Sequence, residues 1–169
     1  RRGMQDNIKL GSGGIREVEF IAQTFQLIRG GCTKALQTQS LHSVLEVLVA
    51  EGLMDRSEQQ GLYRAYEFLR NTEHGLQGIA DKQTQQLPGD PLAQARLSTI
   101  MNCADWTEFY EQLQQHREQV SHSFAAIISE PGASDELTQP STEQQSDWPQ
   151  NPEFDEIHQY LQHLGYEQA

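Results

Sequence analysis

Apolar positions recur at three- and four-residue steps along most of this chain, and that spacing predicts helices. Ile15, Val18, Ile21, Ala22, Phe25 and Ile28 form one face, which Gly30 and Gly31 end. Ser40 stands as N-cap to a second helix through Leu41, Val44, Leu45 and Leu48, with Gly52 near its stop. A longer third helix opens at Ser57 and Glu58 and carries Leu62, Tyr66, Leu69 and Leu76 towards Ile79. Gly75 and Gly78 weaken its last turns by up to about 1 kcal/mol each relative to alanine, so that end either frays or packs closely on a neighbour. Asp90 followed by Pro91 gives an N-cap and a first-turn proline, and Leu92, Ala95, Ile100 and Met101 form the expected apolar side of a fourth helix. Asp105 caps the fifth, where Trp106, Phe109, Leu113, Val120, Phe124, Ile127 and Ile128 show the cleanest periodicity and read as core.

A different pattern precedes the first helix. Asn7, Ile8, Lys9 and Leu10 alternate polar and apolar ahead of a glycine turn, which predicts a short strand. A lone strand is not stable, so it must pair with a sheet outside this chain, and the chain reads as part of a longer one. The expected fold is all-α: a bundle of about five helices over residues 13–129, with strand and glycine turn in residues 1–12. Residues 130–152, rich in Pro, Ser, Gln, Asp and Glu, read as a flexible acidic linker. In residues 153–169, Phe154, Ile157, Tyr160, Leu161 and Leu164 give one weak face of a short helix that begins the next region.

Composition narrows the function classes. No apolar run approaches the roughly 20 residues that span a bilayer, and the N-terminus lacks the apolar core of a signal peptide. A membrane is therefore excluded and the cytoplasm expected. The formal net charge of -12 argues against nucleic acid as partner. Charge is also uneven: basic residues outnumber acidic ones up to Lys34, whereas no Lys or Arg follows Arg117. A phosphate-bearing ligand would favour the basic end, although an acidic tail beside an ordinary domain explains the asymmetry equally well. Cys32 and Cys103 form no C-x-x-C and read as buried thiols, and the six histidines match no metal-binding spacing.

Candidate chemistry concentrates in residues 9–20, K-L-G-S-G-G-I-R-E-V-E-F. Gly11, Gly13 and Gly14 remove side chains where the backbone turns, so another backbone or a phosphate can approach the first helical turn, and Lys9 and Arg16 flank it with positive charge. The motif lacks the third glycine of G-x-G-x-x-G and the G-K-[ST] ending of a Walker loop. A tight turn packed for structural reasons and a phosphate-contacting wall both remain open. Glu17 and Glu19 resemble a metal-binding pair, but on a helix they diverge by about 200°. Arg16, Glu19, Gln23 and Gln26 share one polar stripe, which lines a cleft or faces solvent. There is no D-x-D, no G-x-S-x-G and no evident nucleophile and base, so no catalytic or metal-binding residue is assigned.

Residues 6–31, D-N-I-K-L-G-S-G-G-I-R-E-V-E-F-I-A-Q-T-F-Q-L-I-R-G-G, closely resemble the segment of bacterial glutamine synthetase adenylyltransferase that follows its nucleotidyltransferase core. Glu67-Phe68-Leu69-Arg70, Gln83-Thr84-Gln85-Gln86-Leu87-Pro88, Ala95-Arg96-Leu97 and Ala104-Asp105-Trp106 are also similar to that family's helical region, which extends the likeness to about Ser129. The resemblance implies a bifunctional parent that attaches AMP to a tyrosine of glutamine synthetase and removes it by phosphorolysis, yielding ADP. The R-E-V-E-F ending is more similar to the N-terminal, deadenylylating half. The family's Mg²⁺-binding carboxylates lie upstream, in a G-S-x-x-D-x-D segment and a D-L-R-L-R-P strand, neither of which is here, so the fragment alone is expected to be inactive. On this resemblance residues 1–12 end the nucleotidyltransferase core, and Lys9, Gly13, Gly14 and Arg16 contact nucleotide or phosphate while Glu19 orients Arg16. ATP or ADP, glutamine synthetase and the PII signalling protein are the implied ligands and partners. The alternative is a non-catalytic helical module that docks glutamine synthetase, PII or the other half of its own chain.

Overall fold

The computed structural model describes residues 6–80 and 84–129. The linker and short helix expected in residues 130–169 lie outside them. Five helices follow one another: α1 (Ile15–Arg29), α2 (Leu41–Ala50), α3 (Arg56–Ala80), α4 (Pro91–Ile100) and α5 (Trp106–Ser129), with a 3-10 turn at Lys34–Leu36. The expected caps are in place. The Ser40 hydroxyl accepts the Ser43 N–H, Asp90 accepts the Ala93 N–H ahead of Pro91, and Asp105 accepts the Glu108 N–H, each satisfying a donor that the first helical turn leaves unpaired.

The long helices α3 and α5 pack along each other, and two apolar clusters form on this spine. One joins α1 and α2 to the first half of α3 through Val18, Ile21, Leu45, Leu48 and Leu62, closed by Val120 of α5. In the other, Ile8 and Ile15 pack with Leu69, Leu97, Phe109 and Leu113. Phe68 stacks on Phe109 at 5.9 Å between ring centroids, and Trp106 lies 5.0 Å from Phe109. The Phe68–Phe109 pair crosses the α3–α5 seam, and Trp106 backs Phe109 from within α5.

Residues 7–10 differ from the strand expected of them. Among the described residues there is no sheet, and Asn7 forms a single antiparallel bridge to Gln86 of this same chain. The Asn7 carboxamide oxygen accepts the N–H groups of both Lys9 and Leu10, and the Gly11 N–H donates to the Asn7 carbonyl. This side-chain turn bends the backbone before alternation can build a ladder. Ile8 is thereby carried into the core, fully buried, while Leu10 is half exposed.

Helix α4 is also rotated from its expected register. Leu97 and Ser98 are the buried residues, and Leu92, Ala95 and Ile100 are exposed. Leu97 fits where Gly75 of α3 presents no side chain, since a Cβ there would lie 2.9 Å from Leu97 Cδ1. Gly75 is thus a close-packing glycine, whereas a Cβ at Gly78 would meet nothing within 4 Å. Cys103 is buried as expected and burial raises its pKa, but Cys32, in the loop after α1, is exposed.

His116 of α5 is half-buried against Phe68, with ring centroids 4.6 Å apart. Desolvation lowers its pKa below the ordinary 6.5, because the cationic form loses water it cannot replace. The sign follows from linkage: with the folded pKa depressed, the contribution is complete above the unfolded value and is lost as pH falls through the folded one. Urea midpoints measured at pH 7.5 and pH 5 are expected to fall further for the wild type than for His116→Gln.

Candidate functional site

The sequence concentrates its candidate chemistry in the glycine turn, and the turn is held by bonds from four directions. Gly14 and Ile15 donate to the carbonyls of Gly11 and Ile8, and Arg16 donates to the carbonyl of Lys9. The Glu17 carboxylate accepts the Gly13 N–H at 2.9 Å, a charge-assisted cap at the positive end of α1. From α5, Arg117 donates to the Asn7 carbonyl at 3.0 Å, and from residues 85–87 the chain exchanges backbone bonds with Asp6 and Ile8. The N–H groups expected to be open to an anion at the helix start are therefore largely taken by the protein itself.

The glycines serve this packing. Gly13 has φ +69°, and a Cβ there would sit 2.3 Å from the Arg117 carbonyl oxygen and 2.5 Å from its Cα. At Gly14 a Cβ would come within 2.8 Å of three carbonyl oxygens, those of Gly11, Ile8 and Lys9. The space left at Gly13 is taken by the backbone of α5, and that at Gly14 by carbonyls of the turn itself.

Lys9 and Arg16 have different surroundings. The Lys9 ammonium reaches Glu73 of α3 at 3.4 Å, and Arg70 meets the other oxygen of the same carboxylate at 2.6 Å. Glu73 is 2% exposed, a buried carboxylate with a cation on each oxygen. Arg16 points outward, its side chain 58% exposed, and pairs with Glu19 at 3.1 Å. The structure thus brings Arg16 and Glu19 together and draws Lys9 away to Glu73.

The polar stripe of α1 lines two recesses that share Gln23. Arg16 and Gln23 border a small one of about 210 Å³ with Phe20 and Phe124, whose rings meet edge to face at 5.5 Å. Glu19, Gln23 and Gln26 line a larger one of about 420 Å³ whose floor includes Val44 and Tyr66. A depression of about 640 Å³ lies between the end of α3 and α4 and shares no residue with α1. It is open and mainly apolar, with Arg96 the one charged residue among the described residues that line it, so it offers less chemistry than the smaller recesses of α1.

Among the described residues no three His, Cys, Asp or Glu side chains converge on a point that would hold a metal ion. Glu17 and Glu19 diverge as helical geometry requires, one capping Gly13 and the other pairing with Arg16. The described residues therefore offer no carboxylate cluster suited to Mg²⁺. Sequence reasoning missed Glu73 and Arg117. Arg117 falls four residues after Leu113 and three before Val120, on the apolar stripe of α5, and that position was the available signal.

Taken together, this is a helical bundle with a braced glycine turn at the start of its first helix, and residues 1–128 match the family model described as GlnD PII-uridylyltransferase. The chain is 51% identical over 131 residues to the bifunctional glutamine synthetase adenylyltransferase/adenylyl-removing enzyme of Pseudomonas syringae pv. tomato, covering 78% of this chain and 13% of that protein. Enzymes of the same name from Pseudomonas putida and Neisseria meningitidis are 47% and 42% identical over 135 and 167 residues, covering 80% and 99% of this chain and 14% and 18% of theirs. The chain belongs to the glutamine synthetase adenylyltransferase/adenylyl-removing enzyme family and spans under a fifth of the length of these curated relatives. No helix among the described residues is long and apolar enough to cross a membrane.

Proposed function

We propose that this chain is helical scaffold in a cytoplasmic, bifunctional nucleotidyltransferase that adds AMP to a tyrosine of glutamine synthetase and removes it by phosphorolysis, and that it belongs to the deadenylylating half. In this reading Arg16 supplies positive charge to the nucleotide or phosphate, Glu19 orients it, and Mg²⁺ is held by carboxylates of the complete enzyme outside this chain. Lys9, Gly13 and Gly14 bear on the same wall chiefly by setting the turn from which Arg16 projects. PII is the expected regulatory partner. The observation that carries the reading is the contrast between the two cations. Lys9 is engaged with buried Glu73, whereas Arg16 is exposed at the rim of a recess and pre-aligned by a carboxylate one turn along. A guanidinium so placed offers a planar, permanently charged fork to a phosphate.

Arg16→Ala in the full-length enzyme tests this. A charge-assisted contact contributes about 1.5–3 kcal/mol, so the phosphorolysis rate is expected to fall roughly 10- to 100-fold. The melting temperature should hardly move, because an exposed i,i+3 pair is worth only about 0.5 kcal/mol. Unchanged transfer and phosphorolysis rates would remove Arg16 from the site.

A further inference from the structure

Arg117 of α5 touches both legs of the glycine turn. Its guanidinium reaches the incoming leg, where Nη2 donates at 3.0 Å to the Asn7 carbonyl. Its backbone supports the outgoing leg, where Gly13 packs so closely that a Cβ would lie 2.5 Å from the Arg117 Cα. The incoming leg in turn carries the start of α1, since the Ile15 N–H donates to the Ile8 carbonyl at 3.2 Å and the Arg16 N–H to the Lys9 carbonyl at 3.1 Å. A continuous run of bonds thus leads from α5 through residues 7–9 to the backbone of Arg16.

Stability does not explain an arginine there. Position 117 falls on the apolar stripe between Leu113 and Val120, both fully buried, and Arg117 itself is 7% exposed. Taking the guanidinium out of water lowers its pKa, an effect that Tyr110 and Asp6 oppose. The Asn7 carbonyl also accepts the Gly11 N–H at 2.9 Å, so loss of the arginine would not strip it of a donor, and Asp6 is exposed to water. An apolar side chain of similar length would therefore fill the site with little loss, because replacing buried charge by well-packed apolar groups often leaves stability unchanged. A residue that breaks the local pattern without a gain in stability points to function.

We propose that Arg117 is a positioning residue for phosphorolysis: it holds residues 7–9 against the first turn of α1 and so fixes where Arg16 stands. The inference rests on the proposed role of Arg16 and extends it. Placement decides the worth of such a contact, since a misplacement of about 1 Å can lower a rate roughly a hundredfold. The guanidinium suits the task, being planar and permanently charged, whereas a lysine ammonium is a point donor on a flexible stem.

Arg117→Met in the full-length enzyme is expected to leave the melting temperature nearly unchanged and to lower the phosphorolysis rate roughly tenfold. In the 169-residue chain the same substitution should speed amide hydrogen exchange at Ile15 and Arg16. Combined with Arg16→Ala it should slow the reaction no further, because a positioning residue has no effect once the group it positions is gone. Arg117→Lys should recover part of the rate, and it serves in every comparison if Arg117→Met does not fold. Rate losses that multiply in the double variant would show that Arg117 acts other than through Arg16 and overturn the proposal. Unchanged exchange at Ile15 and Arg16 would overturn it as well. If Arg16→Ala slows phosphorolysis while Arg117→Met matches the wild type, the positioning role fails and the Arg16 contact stands. If instead Arg117→Met slows it and Arg16→Ala does not, the Arg16 contact is itself wrong and the link from Arg117 falls with it.

Discussion

Gly13→Ala is expected to destabilise the chain by about 3 kcal/mol, read as a lower urea midpoint with an unchanged slope. Two effects add at this position. The backbone lies at φ +69°, where an L side chain costs roughly 1–2 kcal/mol, and the new methyl group would occupy space held by Arg117, 2.3 Å from its carbonyl oxygen. The obstacle is the backbone of α5, which has no alternative rotamer, so relief requires moving the helix that carries Phe109, Leu113 and Val120. Such overpacking costs typically about 1–3 kcal/mol. Gly52 is the internal control. It has the same φ of +69°, but a Cβ there meets nothing within 4 Å, so Gly52→Ala should cost only the conformational part, about 1 kcal/mol. Equal losses at the two glycines would show that the α1–α5 approach is looser than the structure has it. The pair of variants also bears on function, because activity lost in Gly13→Ala reports a displaced turn, whereas activity lost in Arg16→Ala reports a missing contact.

That distinction was only half legible in the sequence. The helices could be read because their signals are local: apolar residues three and four apart, and a capping side chain within one turn, as at Ser40, Asp90 and Asp105. The all-α class and the α1 face followed directly. The 7–10 segment misled because four alternating residues fit a strand, while Asn7 could close a turn with its own side chain. In α4 the apolar residues fall all round the helix, so periodicity alone did not select Leu97 over Leu92 and Ile100. At the glycine turn, close approach was legible and its partner was not. Arg117 comes 110 residues after Asn7, and no local pattern links them. Glu73 was hidden for the same reason, since a Glu between Thr72 and His74 reads as helix surface until Lys9 arrives from 64 residues away.

Glu73→Gln is expected to cost about 2 kcal/mol, the second-largest loss among the substitutions considered. The carboxylate is buried and both oxygens accept from cations, Oε1 from Lys9 and Oε2 from Arg70. Glutamine keeps the shape and replaces one acceptor with an NH₂ group, which then faces a cation that it cannot satisfy. Stranding a fully buried charge costs about 3–5 kcal/mol, but Lys9 and Arg70 are about one-third exposed and regain some hydration, so the expected loss is smaller. Double-mutant cycles with Lys9→Met and Arg70→Met apportion the triad. The Arg70 coupling should be the larger, because its bond is shorter, at 2.6 Å against 3.4 Å, and because it lies three residues from Glu73 on the same helix. The Lys9 coupling carries the tertiary consequence, since this pair fastens the start of the glycine turn to α3. Removing Glu73 should therefore raise amide hydrogen exchange at Ile15 and Arg16, whose N–H groups bond to the carbonyls of Ile8 and Lys9. If exchange there stays as slow as in the wild type while global stability drops, the Lys9–Glu73 pair does not hold the turn. The brace would then reside in Arg117 and the close approach of Gly13 alone.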